Sequence, residues 1–509
     1  MSKKTAVIIA LIIALIIIAL IAVAVLRQNN SQSPSKQELL QKLELLKSEY
    51  DAAKADGYDV SEAEKLGLEA RQALDNRDYK TADILLNKIS GILESMGRTV
   101  VPMPTNSSAQ EIMEDALTKL SQVKVISQYR YVTDGMNGRT TGDVIKIFKD
   151  TKTDFIFQGL IRQNPLPEKC SDLPQAQQSN CKLSGYSYES FGKAISQIKT
   201  EMPNIIFGGG FLAEYLDPAS RNEITGQTYT KDELWNMALD PGKWGLSKTK
   251  DQYQTELAVH FGWIKAGQPY DPKEQMKWYV PDITNPEVKE LFLSWAKKQI
   301  DIGVDAIWID GLYGQAYLLE QLTGDMNDPI VKESYDAATY IVDEIHKYGL
   351  SKGKYVYVVS WAVVGDYAIL LEAPYQAPDL DAVMMTVGAA EINSGKMNEN
   401  RWDTTITKIK EKFGNTPIFA RIDYGTAGSP LGALSSLSNE DAIQFLKTAD
   451  AYLQQKGVVF IYPIHGGNLG VTGQKGENLS YGKYDWYDSL APEFGTYETI
   501  KELAQGKAQ

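Results

Sequence analysis

Histidine and cysteine are scarce in this chain: His260, His346, His465, Cys170 and Cys181 are the whole supply in 509 residues. So few imidazoles argue against a histidine-rich metal cage, and two cysteines without a nearby histidine lack a full ligand set. No GxSxG elbow offers a serine nucleophile. Carboxylates are what the chain supplies. Glu214, Asp282, Asp310, Glu372, Glu391 and Asp423 each fall at or just beyond an apolar, β-rich run, and His465 follows the last run. Two carboxyl groups facing one bond suit glycosidic cleavage, in which one protonates the leaving oxygen and the other attacks carbon or activates water. That chemistry calls for neither a metal nor a cofactor.

Aromatic side chains accompany these acids: Trp278, Tyr279, Trp308, Trp361, Tyr424 and Tyr462 lie in or beside the same runs. Those pointing toward the acids could stack on sugar faces, and the others are core. Along Ala306-Ile307-Trp308-Ile309-Asp310, strand alternation puts Trp308 and Asp310 on one face. The candidate binding set is Asp282, Trp278, Trp308, Trp361, Glu372 and His465.

The elements that must position these groups are short strands alternating with helices. Runs at 154–160, 204–211, 276–281, 305–310, 355–360, 380–386, 416–423 and 458–463 predict eight strands. Helical patterns intervene, among them 286–302, 335–348, 402–413 and 439–456. Continuous apolar strands between helices predict an α/β fold with a parallel sheet covered by helices. Eight of them in about 400 residues fit a (β/α)8 TIM barrel, whose catalytic groups sit at the carboxyl ends of the strands. An open doubly wound sheet is the other architecture, but Gly208-Gly209-Gly210 is not followed by the phosphate-loop pattern such a sheet carries.

The most specific stretch runs Trp278-Tyr279-Val280-Pro281-Asp282-Ile283-Thr284-Asn285-Pro286-Glu287-Val288, then Gly303-Val304-Asp305-Ala306-Ile307-Trp308-Ile309-Asp310-Gly311. Asn285 should cap a helix, Pro286 open it and Gly303 end it. This stretch resembles a signature of several glycoside hydrolase barrels: the α-galactosidase and α-glucosidase-like clans and the endo-α-1,4-polygalactosaminidase-like families. The resemblance covers about 35 residues closely. In the first two clans it implies that Asp310 is the nucleophile and that Asp282 organises the pocket. Those clans take their acid from strand six, which here ends Met384-Met385-Thr386 without one. Glu391 is the first substitute, Asp423 the second and Glu372 the third. The leading expectation is a glycosidase with a carbohydrate substrate. A carbohydrate-binding barrel without turnover and a structural component of the cell envelope are the alternatives.

The first hundred residues differ from the rest. Thr5 to Leu26 is an uninterrupted apolar run, and twenty-two residues at 1.5 Å each give about 33 Å, enough to cross a bilayer. Lys3 and Lys4 precede it, so residues 1–27 are expected to anchor the chain in a cell membrane with the bulk outside the cytoplasm. A cleaved signal peptide is the rival, although signal cores are usually shorter. A linker (28–35) leads to a helical spacer (36–96) with apolar stripes Leu39, Leu43, Leu46, Tyr50, Ala53 and Ala82, Leu86, Ile89, Leu93. These helices should pack as a small bundle. Residues 97–108 form a second linker and 109–509 the barrel. Cys170 and Cys181 should form a disulfide in an oxidising compartment, and the sequons at Asn106 and Asn478 would suit the same location. The net charge of -13 argues against nucleic acid as a partner, because phosphate binding needs a basic face.

Overall fold

A computed structural model describes residues 58–507 except 76–77, 97–105, 134, 136–137, 276–277, 364–367, 424–428, 469–470, 473–476 and 479–485, with isolated helical positions between Leu39 and Lys54. The expected anchor at 5–26 and Tyr424 lie outside the described residues. Among the described helices, none is long and apolar enough to cross a membrane. The chain divides into two compact units between Thr105 and Asn106. In the first, helices Ser61–Asp75 and Tyr79–Ser95 share one apolar cluster that also takes in Leu39, Leu46 and Ala53. The predicted stripe residues Ala82, Leu86, Ile89 and Leu93 are all buried in it.

The second unit is a closed, eight-stranded parallel barrel. Its strands are β1 (Ile126–Tyr129), β2 (Phe155–Phe157), β3 (Ile206–Leu212), β4 (Ala306–Asp310), β5 (Tyr357–Val363), β6 (Ala382–Thr386), β7 (Ile418–Arg421) and β8 (Val459–Asn468). Neighbours pair in sequence order, and β1 pairs with β8 to close the ring. A short strand, Trp486–Asp488, adds antiparallel to β8.

The count of eight agrees with the sequence pattern, but one member differs. Among the described residues of the run 276–281, Trp278–Pro281 belong to no barrel strand. Tyr279 makes only an isolated antiparallel bridge to Leu216, inside a long excursion between β3 and the helix Pro286–Asp301. The missing strand is β1, whose Ser127 and Gln128 dilute the apolar signal over four residues. As expected, Asn285 caps the helix Pro286–Asp301, accepting from Glu287 N–H at 2.9 Å.

Alternation along each strand separates two apolar layers. Ile126, Phe155, Phe157, Trp308, Trp361 and Phe419 belong to the barrel interior, whereas Ile156, Ile307, Ile309 and Val383 pack under the helices. Leu120 and Val123, at and just past the end of helix Asn106–Ser121, join the interior cluster at the amino ends of the strands. Gly208-Gly209-Gly210 finds its explanation here. A Cβ on Gly208 would lie 2.5 Å from Ile156 O, and one on Gly210 2.5 Å from Trp308 O. Glycine at these inward positions leaves room for the aromatic filling of the barrel. Gly210→Ala should overpack this layer and cost about 1–3 kcal/mol, read as a lower urea midpoint at unchanged slope. An unaltered midpoint would refute this account of the glycines.

Candidate active site

The carboxyl ends of the strands gather three acids. Asp310 ends β4 on the inward face, as its alternation with Trp308 predicts. β3 is tied to that point by Ala213 N–H donating to Asp310 O at 2.8 Å, and the next residue is Glu214. Gly311 turns the chain with φ +66°, and a Cβ there would run into Glu214 Cγ. Absence of a side chain at 311 is therefore what lets Glu214 lie against the end of β4. Asp423 comes from beyond β7 and pairs with Arg421 at 3.1 Å.

Arg421 is fully buried and points into the barrel. Its guanidinium carbon lies 5.2 Å from the ring centres of both Phe157 and Trp308, and 5.9 Å from that of Trp361. The side-chain oxygens of Gln128 and Gln158 accept from it at 3.4 and 3.3 Å. Gln158 holds φ +60°, a left-handed conformation uncommon outside glycine. Such strain concentrates at functional sites, and here it turns the end of β2 toward Arg421. Trp361 completes the frame by donating Nε1–H to Asp310 Oδ1 at 2.7 Å.

The electrostatics follow from this crowding. Burial, then the charges of Asp310 and Asp423, pushes the Glu214 carboxyl up to about 8. Burial and the Asp423 charge push Asp310 up to about 7, against the Trp361 hydrogen bond, the Arg421 charge and the Gly311 N–H. The two acids titrate together. Three groups favour the ionised form of Asp310, whereas burial and both neighbouring negative charges favour the neutral form of Glu214. Both acids line a cavity of about 350 Å³ together with Trp361, Gln315, His260 and Phe261.

Of the residues singled out from sequence, Asp310, Trp361 and Asp423 come together here. The others do not join them. Glu391 is buried with both oxygens engaged: Oε1 accepts from Asn398 N–H and Trp402 Nε1–H, and Oε2 from Gly388 N–H and Arg401. It caps its own helix and has no free acceptor for a substrate. Glu372 is exposed and faces Lys408 at 3.5 Å on the outer layer. Trp308 is buried in the barrel interior and cannot stack on a ligand. His465 is buried against Tyr129, and burial drives its imidazole down to about 4, leaving it neutral. Asp282 accepts from Lys243, Gln315 and the Thr284 backbone and hydroxyl, so it braces a turn beside the cavity. Trp278 packs on Tyr215 and Trp263 in the excursion and does not line the cavity. Tyr279 and Tyr462 are buried.

Sequence reasoning passed over Glu214 and Arg421. Glu214 stood among the acids following a strand, but no motif marked it, and its closeness to Asp310 depends on β3 pairing with β4. Arg421 was hidden in an apolar strand. Among the described residues, no group of three histidine, cysteine or acidic side chains is arranged to hold a metal ion. Cys170 and Cys181 form the expected disulfide, with Cα atoms 5.5 Å apart.

No family model matches the chain, and no curated protein does. Among solved structures it is similar to Eubacterium rectale Amy13B, at 13% identity over 76% of this chain and 80% of that one, with a TM-score of 0.45. It is also similar to the alpha-amylase from H. orenii, at 14% identity over 76% and 82%, with a TM-score of 0.44. The glycoside hydrolase domain of PelA from Pseudomonas aeruginosa matches at 11% identity over 67% and 94%, with a TM-score of 0.33. These likenesses are distant, and the (β/α)8 assignment rests on the strand order of this chain itself.

The raised proton affinity of Glu214 has a consequence for stability. Its contribution is fully present below the ordinary glutamate range and is lost as pH rises toward about 8. Glu214→Gln should therefore melt at a higher temperature than the parent protein at pH 8, with the two curves converging near pH 4. A difference independent of pH would contradict the burial argument.

Proposed function

We propose that this barrel hydrolyses glycosidic bonds, with Glu214 as proton donor and Asp310 as the carboxylate acting on the anomeric centre. One observation carries the reading: two carboxyl groups at neighbouring strand ends line one cavity, and burial with neighbouring negative charge raises the proton affinity of both. Two close acids that cannot both ionise share a proton, which gives one site an acid and a base at the same pH. Glu214, contested by two negative charges in a desolvated corner, arrives at the bond protonated. Asp310, steadied by Trp361 and Arg421, arrives ionised. Asp423 supplies the charge that holds the proton on its neighbour. The lack of an acid ending β6 was the feature in favour of a binding barrel without turnover, and Glu214 answers it.

The reading extends to location. The apolar run 5–26, preceded by Lys3 and Lys4, supports a membrane anchor with the barrel outside the cytoplasm. The Cys170–Cys181 disulfide suits the same compartment. A carbohydrate of the cell envelope or surroundings is then the substrate within reach.

Tested on the full chain against a glycan panel, Asp310→Asn should lose at least about a thousandfold in turnover. Glu214→Gln should lose roughly a hundred- to ten-thousandfold on unactivated sugars but retain activity on dinitrophenyl glycosides, whose leaving group needs no proton. Undiminished sugar release by Asp310→Asn would refute the assignment. The singly protonated pair is most populated between about 7 and about 8, which sets the expected pH optimum. Asp423→Asn removes a negative charge that raises both acids, so its alkaline limb should move to lower pH. An unmoved limb would remove Asp423 from the scheme.

A further inference from the structure

We propose that the substrate is a chain of several sugar rings that extends from the cavity onto an aromatic platform of Tyr215, Phe261, Trp263 and Trp278, an inference that rests on the glycosidase reading above. The platform belongs to the excursion between β3 and the helix Pro286–Asp301. It reaches the cavity through Phe261 and adjoins two other lining residues along the chain. Phe261 lines the cavity itself, Tyr215 follows Glu214, and Trp278 lies two residues before Val280, another lining residue.

The four rings form one connected cluster, in which Tyr215 also meets Trp263 edge to face at 6.1 Å. Phe261 stacks on Trp263 at 5.1 Å with 20° between planes, Trp263 meets Trp278 at 5.4 Å, and Trp278 meets Tyr215 at 5.4 Å. All four side chains are half-buried. Their inner side is backed by the buried cluster of Leu239, Tyr253, Leu257 and Val280, against which Phe261 and Trp263 pack. The backbone holds the arrangement: Leu216 and Tyr279 exchange two hydrogen bonds at 2.8 and 2.9 Å, clamping the segments that carry Tyr215 and Trp278. Trp263 N–H donates to Ala258 O at 2.8 Å.

A connected cluster of partly exposed aromatics beside a largely apolar cavity that holds two carboxyl groups has the composition of a ligand-binding site. Aromatic faces carry partial negative charge, which the polarised C–H face of a pyranose complements while its hydroxyls stay in water. Rings already locked in place bind without ordering cost. The net charge of -13 and the acids at the cavity favour neutral sugars over polyanions. Length recognition, rather than recognition of one terminal sugar, follows from the platform lying outside the cavity that holds Glu214 and Asp310.

The test uses the full chain bearing Asp310→Asn, titrated with neutral bioses and hexaoses of glucose, galactose, mannose and N-acetylglucosamine in α and β linkages. Tryptophan fluorescence and calorimetry report binding. At least one hexaose should bind tenfold or more tightly than its biose. Adding Trp263→Ala should abolish that advantage and leave biose binding within about twofold, while Trp263→Phe keeps most of it. Trp278→Ala, on the facing segment, should behave like Trp263→Ala, with near-ultraviolet dichroism confirming folding. The proposal is overturned if no hexaose exceeds its biose, or if the advantage survives both alanine variants. Hexaose binding of the expected pattern without hydrolysis by the parent protein would uphold the platform and refute the hydrolase reading instead.

Discussion

Three carboxyl groups meet at one end of this barrel, and holding them together against mutual repulsion and loss of water is the constraint around which the site is built. Like charges brought close in a desolvated corner do not all remain ionised. The chain meets the constraint with a buried cation beside the acids, an indole N–H donated to one of them, and a raised proton affinity on two of them. Arg421 sits among Phe157, Trp308 and Trp361, whose electron-rich faces accommodate a guanidinium. Gln128 and Gln158 accept from it without adding charge. Its field therefore reaches the acids only partly neutralised, by Asp423.

The same constraint explains features of the fold that look unrelated. Aromatic rings of the barrel interior frame Arg421, and the inward glycines Gly208 and Gly210 leave that filling its space. Gly311 lacks a side chain because Glu214 occupies the volume one would take. The excursion after β3 then has two tasks. It carries Glu214 at its start, and its body, braced at Asp282 by Lys243, Thr284 and Gln315, walls the cavity.

The two departures from the sequence reading have physical causes. Residues 276–281 look like a strand because Trp278, Tyr279 and Val280 carry the aromatic and β-branched signature, but that signature also suits a two-stranded bridge in an insertion. The true first strand is short and half polar, because its inward Gln128 serves Arg421 rather than the apolar filling. Glu391 stands where an acid was wanted, in the loop after β6. Nothing in its neighbours' identities reveals that Gly388, Asn398, Arg401 and Trp402 fold back to occupy both of its oxygens.

What the sequence determined by itself is local. Strand alternation put Asp310 on the inward face beside Trp308, Asn285 and Pro286 opened the helix before it, and the closely spaced cysteines announced their bond. Helix capping and two-residue periodicity act over a few residues, so they are legible in a linear string. What only the tertiary structure decided is which acid partners Asp310 and which arginine lies beneath it. Glu214, Trp361, Arg421 and Asp423 come from the ends of three further strands, and their shared neighbourhood exists only once the barrel closes. Proton affinity depends on burial and on charges a few ångströms away, quantities that sequence spacing does not encode.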